Sequence, residues 1–139
     1  MADKMSTGNK PFRPNQPRTP PQDLAVEQAL LGSIMLKPSD LHEVLDLILP
    51  TDFYSDRHRQ IFQTMLVLQD QGHPVDLVSL TSLLKEKKVL ERVGGYGYLA
   101  ELTKTIPSAA NLKYYAEVIR KKAALRRLIE AADQISELC

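Results

Sequence analysis

The chain of 139 residues contains no tryptophan, a single cysteine and only six glycines, and each scarcity excludes something. A lone cysteine, Cys139, cannot close an internal disulfide, which is the usage of a reducing compartment. Without tryptophan the core must be assembled from leucine, isoleucine, valine and a few smaller aromatics, and a hydrophobic content of 43% suffices for one modest core. No apolar run approaches the ~20 residues of a membrane-spanning helix. The N-terminus carries lysine but lacks the apolar stretch of a secretory signal, so the expected location is the cytoplasm. None of the glycines stands directly before a lysine. The chain therefore lacks the G-x-x-x-x-G-K-[ST] loop whose backbone amides cradle nucleotide phosphates. Neither charge dominates, with 18 basic and 17 acidic side chains.

The charges and prolines that are present are unevenly placed. Residues 1–21 hold five of the nine prolines, with Lys4, Lys10, Arg13 and Arg18 against Asp3, and read as a disordered basic tail. The remainder, with 14 basic and 16 acidic side chains, is slightly acidic, which argues against a dedicated nucleic-acid domain needing a clustered positive face. From Asp23 onward apolar residues recur at three and four and no segment sustains a period of two, so the expected fold class is all-α. Asp23 is placed to cap a first helix with Val26, Leu30 and Ile34 in one row and Leu24, Leu31 and Met35 in the next. Ser39 is read as the cap of a second helix bearing Leu41, Val44, Leu45 and Ile48, stopped by Pro50. A third helix spans about Ser55 to Gln71 with His58, Ile61, Phe62 and Met65 inward, and Gly72 fits a left-handed terminator. Asp76 caps a fourth carrying Leu77, Leu80 and Leu84. Gly94, Gly95 and Gly97 open a short helix with Tyr98, Leu99 and Leu102, and at least one of Gly94 and Gly95 is expected at positive φ. Pro107 closes that helix, with Ile106 extended before it. Ser108 is read as capping a long last helix from about Ala109.

Several blocks carry a resemblance. Residues 94–122 read GGYGYLAELTKTIPSAANLKYYAEVIRKK, and residues 20–36 read PPQDLAVEQALLGSIML, with Glu27-Gln28 and Leu31-Gly32. Between them stand Asp52-Phe53-Tyr54 with His58, Ile61 and Phe62, then Gly72, Pro74, Asp76-Leu77 and Leu80. In this order and spacing the blocks resemble the N-terminal domain of the bacterial replicative DNA helicase, the DnaB family. One departure is Ala25-Val26, where the family more often has an acidic residue followed by alanine. The resemblance implies a compact bundle of about six helices, with a globular body over 22–108 and the last helix, 109–139, forming the first arm of a helical hairpin used in subunit pairing. It implies an assembly and docking domain, the collar of a hexameric ring that receives primase, rather than a catalyst. The parent would be an ATP-dependent helicase unwinding duplex DNA at the bacterial replication fork. Its motor domain, with ATP and Mg, would follow Cys139. The implied partners are the chain itself, as a dimer or hexameric ring, primase, a helicase loader, and single-stranded DNA mainly through that motor. A stand-alone helical DNA-binding or adaptor module of the same fold is the alternative.

The last helix changes character along its length. Leu112, Tyr115 and Ile119 share a face suited to the core, whereas Val118, Leu125 and Ala132 stand seven apart, as do Leu128 and Ile135. Seven-residue recurrence is the pattern of a helix presenting a seam to another helix. Val118, Leu125, Leu128 and Ile135 are thus candidate subunit-interface residues, with packing inside the chain the competing reading. Lys122 and Arg126, expected to be exposed, are the candidate partner-docking residues. Arg120, Lys121, Lys122, Arg126 and Arg127 form either a nucleic-acid face or a solvated face offsetting Glu117, Glu130 and Asp133. Tyr96 and Tyr98 beside Arg92 make either a stacking platform for single strands or, for Tyr98, core packing. His42, His58 and His73 fall on different elements without metal-ligand spacing, so His58 reads as a packed or capping side chain. Asp52 and Asp56 read as turn caps rather than an acid-base pair. Ser33, Ser108 and Cys139 have no base nearby in the sequence, so no catalytic, cofactor-binding or metal residue is expected.

Overall fold

The computed structural model describes residues 19–104 and 111–138. The tail before Thr19, the expected extended Ile106, the Pro107 stop, the Ser108 cap, the start at Ala109 and Cys139 all lie outside the described residues. Within them the chain forms five α-helices: α1 (Leu24–Leu36), α2 (Asp56–Asp70), α3 (Leu77–Glu86), α4 (Gly95–Leu102) and α5 (Leu112–Leu138). Two 3-10 helices, Pro38–Glu43 and Pro50–Asp52, lie between α1 and α2. No strand occurs among the described residues.

The caps that open the helices follow from their side chains. Asp23 accepts a hydrogen bond from the Val26 amide at 3.2 Å, and Asp76 accepts one from Ser79 at 2.8 Å. For the last helix, Asn111 Oδ1 accepts from the Tyr114 amide at 3.0 Å, so the described helix opens on an asparagine cap. Chain reversal relies on left-handed residues. Gly72 sits at φ +76° after α2, where His73 N–H reaches back to the Leu68 carbonyl at 2.9 Å. Gly94 and Gly95, at φ +105° and +75°, do the same before α4, with the Gly95 amide on the Leu90 carbonyl at 2.8 Å.

The segment expected as a second α-helix is instead a 3-10 helix followed by turns. Pro38 begins it only two residues beyond α1, with Lys37 at the cap position making no side-chain bond, and Ser39 lies inside the element rather than capping it. Proline fixes φ and offers no amide, which suits a first-turn position and leaves short i to i+3 bonds such as Asp40 N–H to the Lys37 carbonyl at 2.9 Å. Pro50, expected as a stop, opens the second 3-10 helix. The inward residues are still those of the apolar pattern, with Leu41, Val44 and Ile48 buried.

A single core joins these elements. Leu30, Leu31 and Ile34 of α1 are fully buried beside Phe53, Ile61, Phe62 and Met65, with the Phe53 and Phe62 rings 5.1 Å apart. Leu24, placed in a core row by its spacing, lies in the first turn and is exposed. Leu80 and Leu84 of α3 and Leu99 and Leu102 of α4 close one side. Along α5 the buried residues are Leu112, Ala116, Ile119 and Ala123, packed chiefly on α1.

Gly94 has little room for a side chain, because an added Cβ would stand 2.7 Å from the Tyr98 Cβ. Gly95 would meet only Glu91 Oε1 at 3.7 Å. Gly94→Ala is expected to destabilise by about 2 kcal/mol and Gly95→Ala by about 1 kcal/mol, since only the first adds a clash to the left-handed strain. Urea unfolding of both variants measures this, and equal small losses would contradict the steric reading.

Candidate functional site

Glu27 is the only charged residue in α1 and is almost fully buried. Both of its carboxyl oxygens are hydrogen-bonded. Oε2 accepts from the Tyr54 amide at 2.7 Å, and Oε1 accepts from the Ser55 amide at 3.4 Å and from His58 Nδ1 at 2.7 Å. The other ring nitrogen of His58 lies 2.6 Å from the Tyr98 hydroxyl, and that hydroxyl accepts from Gln28 Nε2 at 3.2 Å. The His58 and Tyr98 rings stack at 6.0 Å, and the Arg57 guanidinium covers the Tyr98 ring at 4.4 Å. One carboxyl group thereby ties α1, α2, α4 and the turn at residues 52–55 together.

That turn receives the long helix. Arg126 donates to the Asp52 carbonyl at 2.7 Å and to the Pro21 carbonyl at 2.8 Å, and its guanidinium lies 5.4 Å from the centre of the Tyr54 ring. Arg127 pairs with the buried Asp52 carboxylate at 2.7 Å, whose other oxygen accepts from the Leu49 amide at 2.9 Å. Burial pushes the Arg126 guanidinium below its ordinary pKa, Glu27 and Asp52 opposing the shift while Arg127 and Arg59 add to it. Beyond this latch every described residue of α5, from Arg127 to Leu138, is exposed.

Arg126 is half-buried rather than exposed, with one donor on each terminal nitrogen held by a backbone carbonyl of its own chain. Lys122 is likewise half-buried. The interface candidates are placed differently. At about 100° per residue, Val118 and Leu125 fall roughly 200° around the helix from Ala116 and Ala123. The seven-spaced row thus faces away from the body. Leu125, Leu128 and Ile135 are 40%, 66% and 62% exposed, and Val118 is half-buried. That exposure leaves most of Leu128 and Ile135 uncovered by the described chain, while Val118 and part of Leu125 are shielded by it.

The stacking platform is not assembled, since Tyr98 is engaged with His58, and Arg92 pairs with Asp56 at 2.9 Å while Tyr96 stands exposed. The basic residues of α5 do not form one free face either, because Arg126 and Arg127 are latched. Asp52 caps its turn as expected. Ser33 is buried with its hydroxyl unpartnered among the described residues. The histidines stand apart, and no group of three potential ligands gathers among the described residues. No helix among them is long and apolar enough to cross a membrane. Composition and spacing left Glu27 and the Asp52–Arg127 pair without roles. The available signal was a lone acid in an otherwise uncharged helix, Leu24–Leu36, which is costly unless paired.

A body that spends its buried polar groups on fixing one projecting helix, while that helix keeps a second, uncovered apolar face, has the architecture of a helical interaction module. The chain belongs to the family of DnaB-like helicase N-terminal domains, whose model matches residues 19–121. It is 47% identical over 120 residues to the replicative DNA helicase DnaC of Bacillus subtilis (strain 168), covering 86% of this chain and 26% of that protein. It thus spans about a quarter of the length of the curated relatives it matches. The fold is similar to the crystal structure of the N-terminal domain of DnaB helicase from Mycobacterium tuberculosis. The TM-score is 0.82 at 40% identity, over 86% of this chain and 85% of the other. It is also similar to a DnaB-like replicative helicase described with its interactions with primase, at a TM-score of 0.73 and 32% identity, over 83% of this chain and 27% of that one.

Glu27→Ala is expected to destabilise the protein by about 3 kcal/mol or more, because it leaves two amides and a buried imidazole without their partner. Chemical denaturation measures this, and a loss below about 0.5 kcal/mol would show the network to be dispensable. Removing residues 1–18 is expected to leave thermal unfolding unchanged. Removing 1–21 also deletes the Pro21 acceptor and should cost about 1 kcal/mol, similar to Arg126→Ala. Equal melting temperatures for the two truncations would place no weight on that contact.

Proposed function

We propose that this chain is the assembly and docking domain of a replicative DNA helicase, supporting a hexameric ring and receiving primase. The observation that carries the reading is the outward apolar row of α5 on a chain that belongs to the DnaB-like N-terminal family. A row of this size exposed to water marks a surface meant for another protein, and its seven-residue spacing suits a second helix. Val118, Leu125, Leu128 and Ile135 form the subunit seam. Residues 22–108 are the globular body and 109–139 the pairing arm, with the proline-rich basic segment before them. Lys122, half-buried beside the seam, stays a candidate for partner docking, together with the edge of the body next to Arg126.

Unwinding, ATP and Mg belong to the part of the parent that this chain does not span. That portion would also make the main contacts with single-stranded DNA. Primase is the partner for which a relative gives direct support, since a DnaB-like helicase of similar fold is described with its primase interactions. A helicase loader completes the set of partners, and the setting is the bacterial cytoplasm.

Replacing Leu125 and Leu128 with lysine should abolish self-association, because closing the seam would bury unpaired charges at a cost of several kcal/mol. Both residues are exposed in the single chain, so the helical signal and melting temperature of the monomer should stay near those of the parent. Light scattering across concentration reads the outcome. A double variant with unchanged solution mass at every concentration moves the pairing face elsewhere.

A further inference from the structure

The hydrogen bonds around the buried His58 run in one direction. Gln28 Nε2 donates to the Tyr98 hydroxyl at 3.2 Å, which leaves the hydroxyl's own proton to be donated to His58 Nε2 at 2.6 Å. His58 Nδ1–H then donates to Glu27 Oε1 at 2.7 Å. In this order the imidazole is neutral and the carboxylate receives every donor. A second ring proton would meet the hydroxyl proton of Tyr98 head-on. Tyr98 is half-buried, so its hydroxyl can turn away toward solvent.

The Glu27 charge is felt beyond the imidazole. Glu27 Oε2 accepts from the Tyr54 amide, and the carbonyl of that same peptide group, on Phe53, accepts from Arg59 Nη1 at 2.9 Å. The next peptide group repeats the arrangement, with the Ser55 amide on Glu27 Oε1 and the Tyr54 carbonyl on Arg59 Nη1 at 2.9 Å. Two peptide dipoles therefore lie between one carboxylate and one guanidinium, where each bond polarises the other. The peptide group before them supplies the Asp52 carbonyl that Arg126 holds. Burial works against the charge of Arg126, and Glu27 is the largest influence restoring it.

We propose that His58 is a proton-operated control on the root of α5. While His58 is neutral, the whole Glu27 charge supports Arg126 on the turn. Protonating His58 offsets that charge and loosens the latch. The other charged and titratable groups on the surrounding elements are Asp52 and Tyr54 in the turn, Asp56, Arg57 and Arg59 on α2, Tyr98 on α4, and Arg126 and Arg127 on α5. Lys87, just beyond α3, reaches α2 at Thr64. Asp52 and Asp56 are already paired, with Arg127 and Arg92. Of all these side chains only the imidazole ordinarily changes charge between about pH 5 and 8. The device depends on the latch alone and not on what the arm pairs with.

Ring signals of nitrogen-15-labelled histidine read the proton directly in the full chain. His58 should be the neutral Nδ1–H form in mildly alkaline solution and should protonate on acidification before the fold is lost. Arg126→Gln keeps amide donors for the carbonyls but removes the charge. In that variant His58 should bind its proton about fivefold more tightly, the lower end of ordinary coupling between two sites. Arg126→Lys, which keeps the charge, should leave proton binding near that of the parent. Heteronuclear NOEs of amides 127–138 should fall as His58 protonates. They should stay flat over the same range in His58→Asn, whose side-chain amide still offers Glu27 a donor. Replacing the exposed His42 and His73 with asparagine should change neither result. An imidazolium in mildly alkaline solution, a neutral Nε2–H form, or unchanged proton binding in Arg126→Gln would overturn the proposal. So would arm signals that ignore the titration of His58, or a ring that stays neutral until the chain unfolds. If His58→Asn does not fold, the glutamine and lysine variants of Arg126 decide the matter alone.

Discussion

The Glu27 carboxyl group is the constraint from which the rest of the architecture hangs. An acid at this depth is tolerable only when its oxygens are hydrogen-bonded, and here the amides of Tyr54 and Ser55 and the His58 ring bond both of them. Because those donors belong to the turn at residues 52–55 and to the first turn of α2, satisfying one buried group fixes the path of a non-helical segment. Hydrophobic burial of Phe53 alone would hold the turn near the core, yet would leave the direction of its carbonyls free. Directional bonds settle that direction. The Asp52 carbonyl then faces α5 and accepts from Arg126.

The latch in turn sets where the body stops supporting the long helix. The last fully buried position on α5 is Ala123, and Arg126 and Arg127 finish the contact in the next turn. The eleven residues from Leu128 to Leu138 would be marginal as a separate helix, since isolated helices below about 12–15 residues rarely persist in water. As a continuation of a docked helix they need no new nucleus, and each residue adds one bond to an existing ladder. Anchoring near Asp52 thus supports an arm that tertiary contacts in the described chain do not touch.

Much of this was legible in the residue order, for reasons that differ by element. Asp23 and Asp76 sit immediately before apolar rows and cap as their side-chain chemistry requires. Gly72, Gly94 and Gly95 stand where helical spacing breaks, and left-handed turns there cost other residues more. Core rows were readable because burial selects on period. Illegible features depended on contacts far apart in sequence. Nothing local distinguishes Arg126 from Lys122, and its role depends on Pro21 and Asp52, 105 and 74 residues away. The 3-10 segment at Pro38–Glu43 escaped because its apolar spacing serves an α-helix equally well, and only the two flanking prolines hint that the chain has too little length to form one. His58 was readable as packed, while its partners were not.

The distribution of side-chain size around α5 shows where its apolar energy is directed. Facing the body, Ala116 and Ala123 alternate with Leu112 and Ile119, and these small residues let the backbone approach α1 closely. Facing outward are Val118, Leu125, Leu128 and Ile135, and a helix meant only to cover its own domain would place the larger residues inward. Burying one such side chain fully is worth about 1.5–3 kcal/mol, whereas an exposed ion pair contributes about 0–1 kcal/mol. The outward row, already partly covered at Val118 and Leu125, therefore still carries several kcal/mol that are realised only against another surface. That exceeds what the charged residues of the same helix can supply. In the proposed pairing, affinity for a second helix comes from the leucines and isoleucine rather than from the charges.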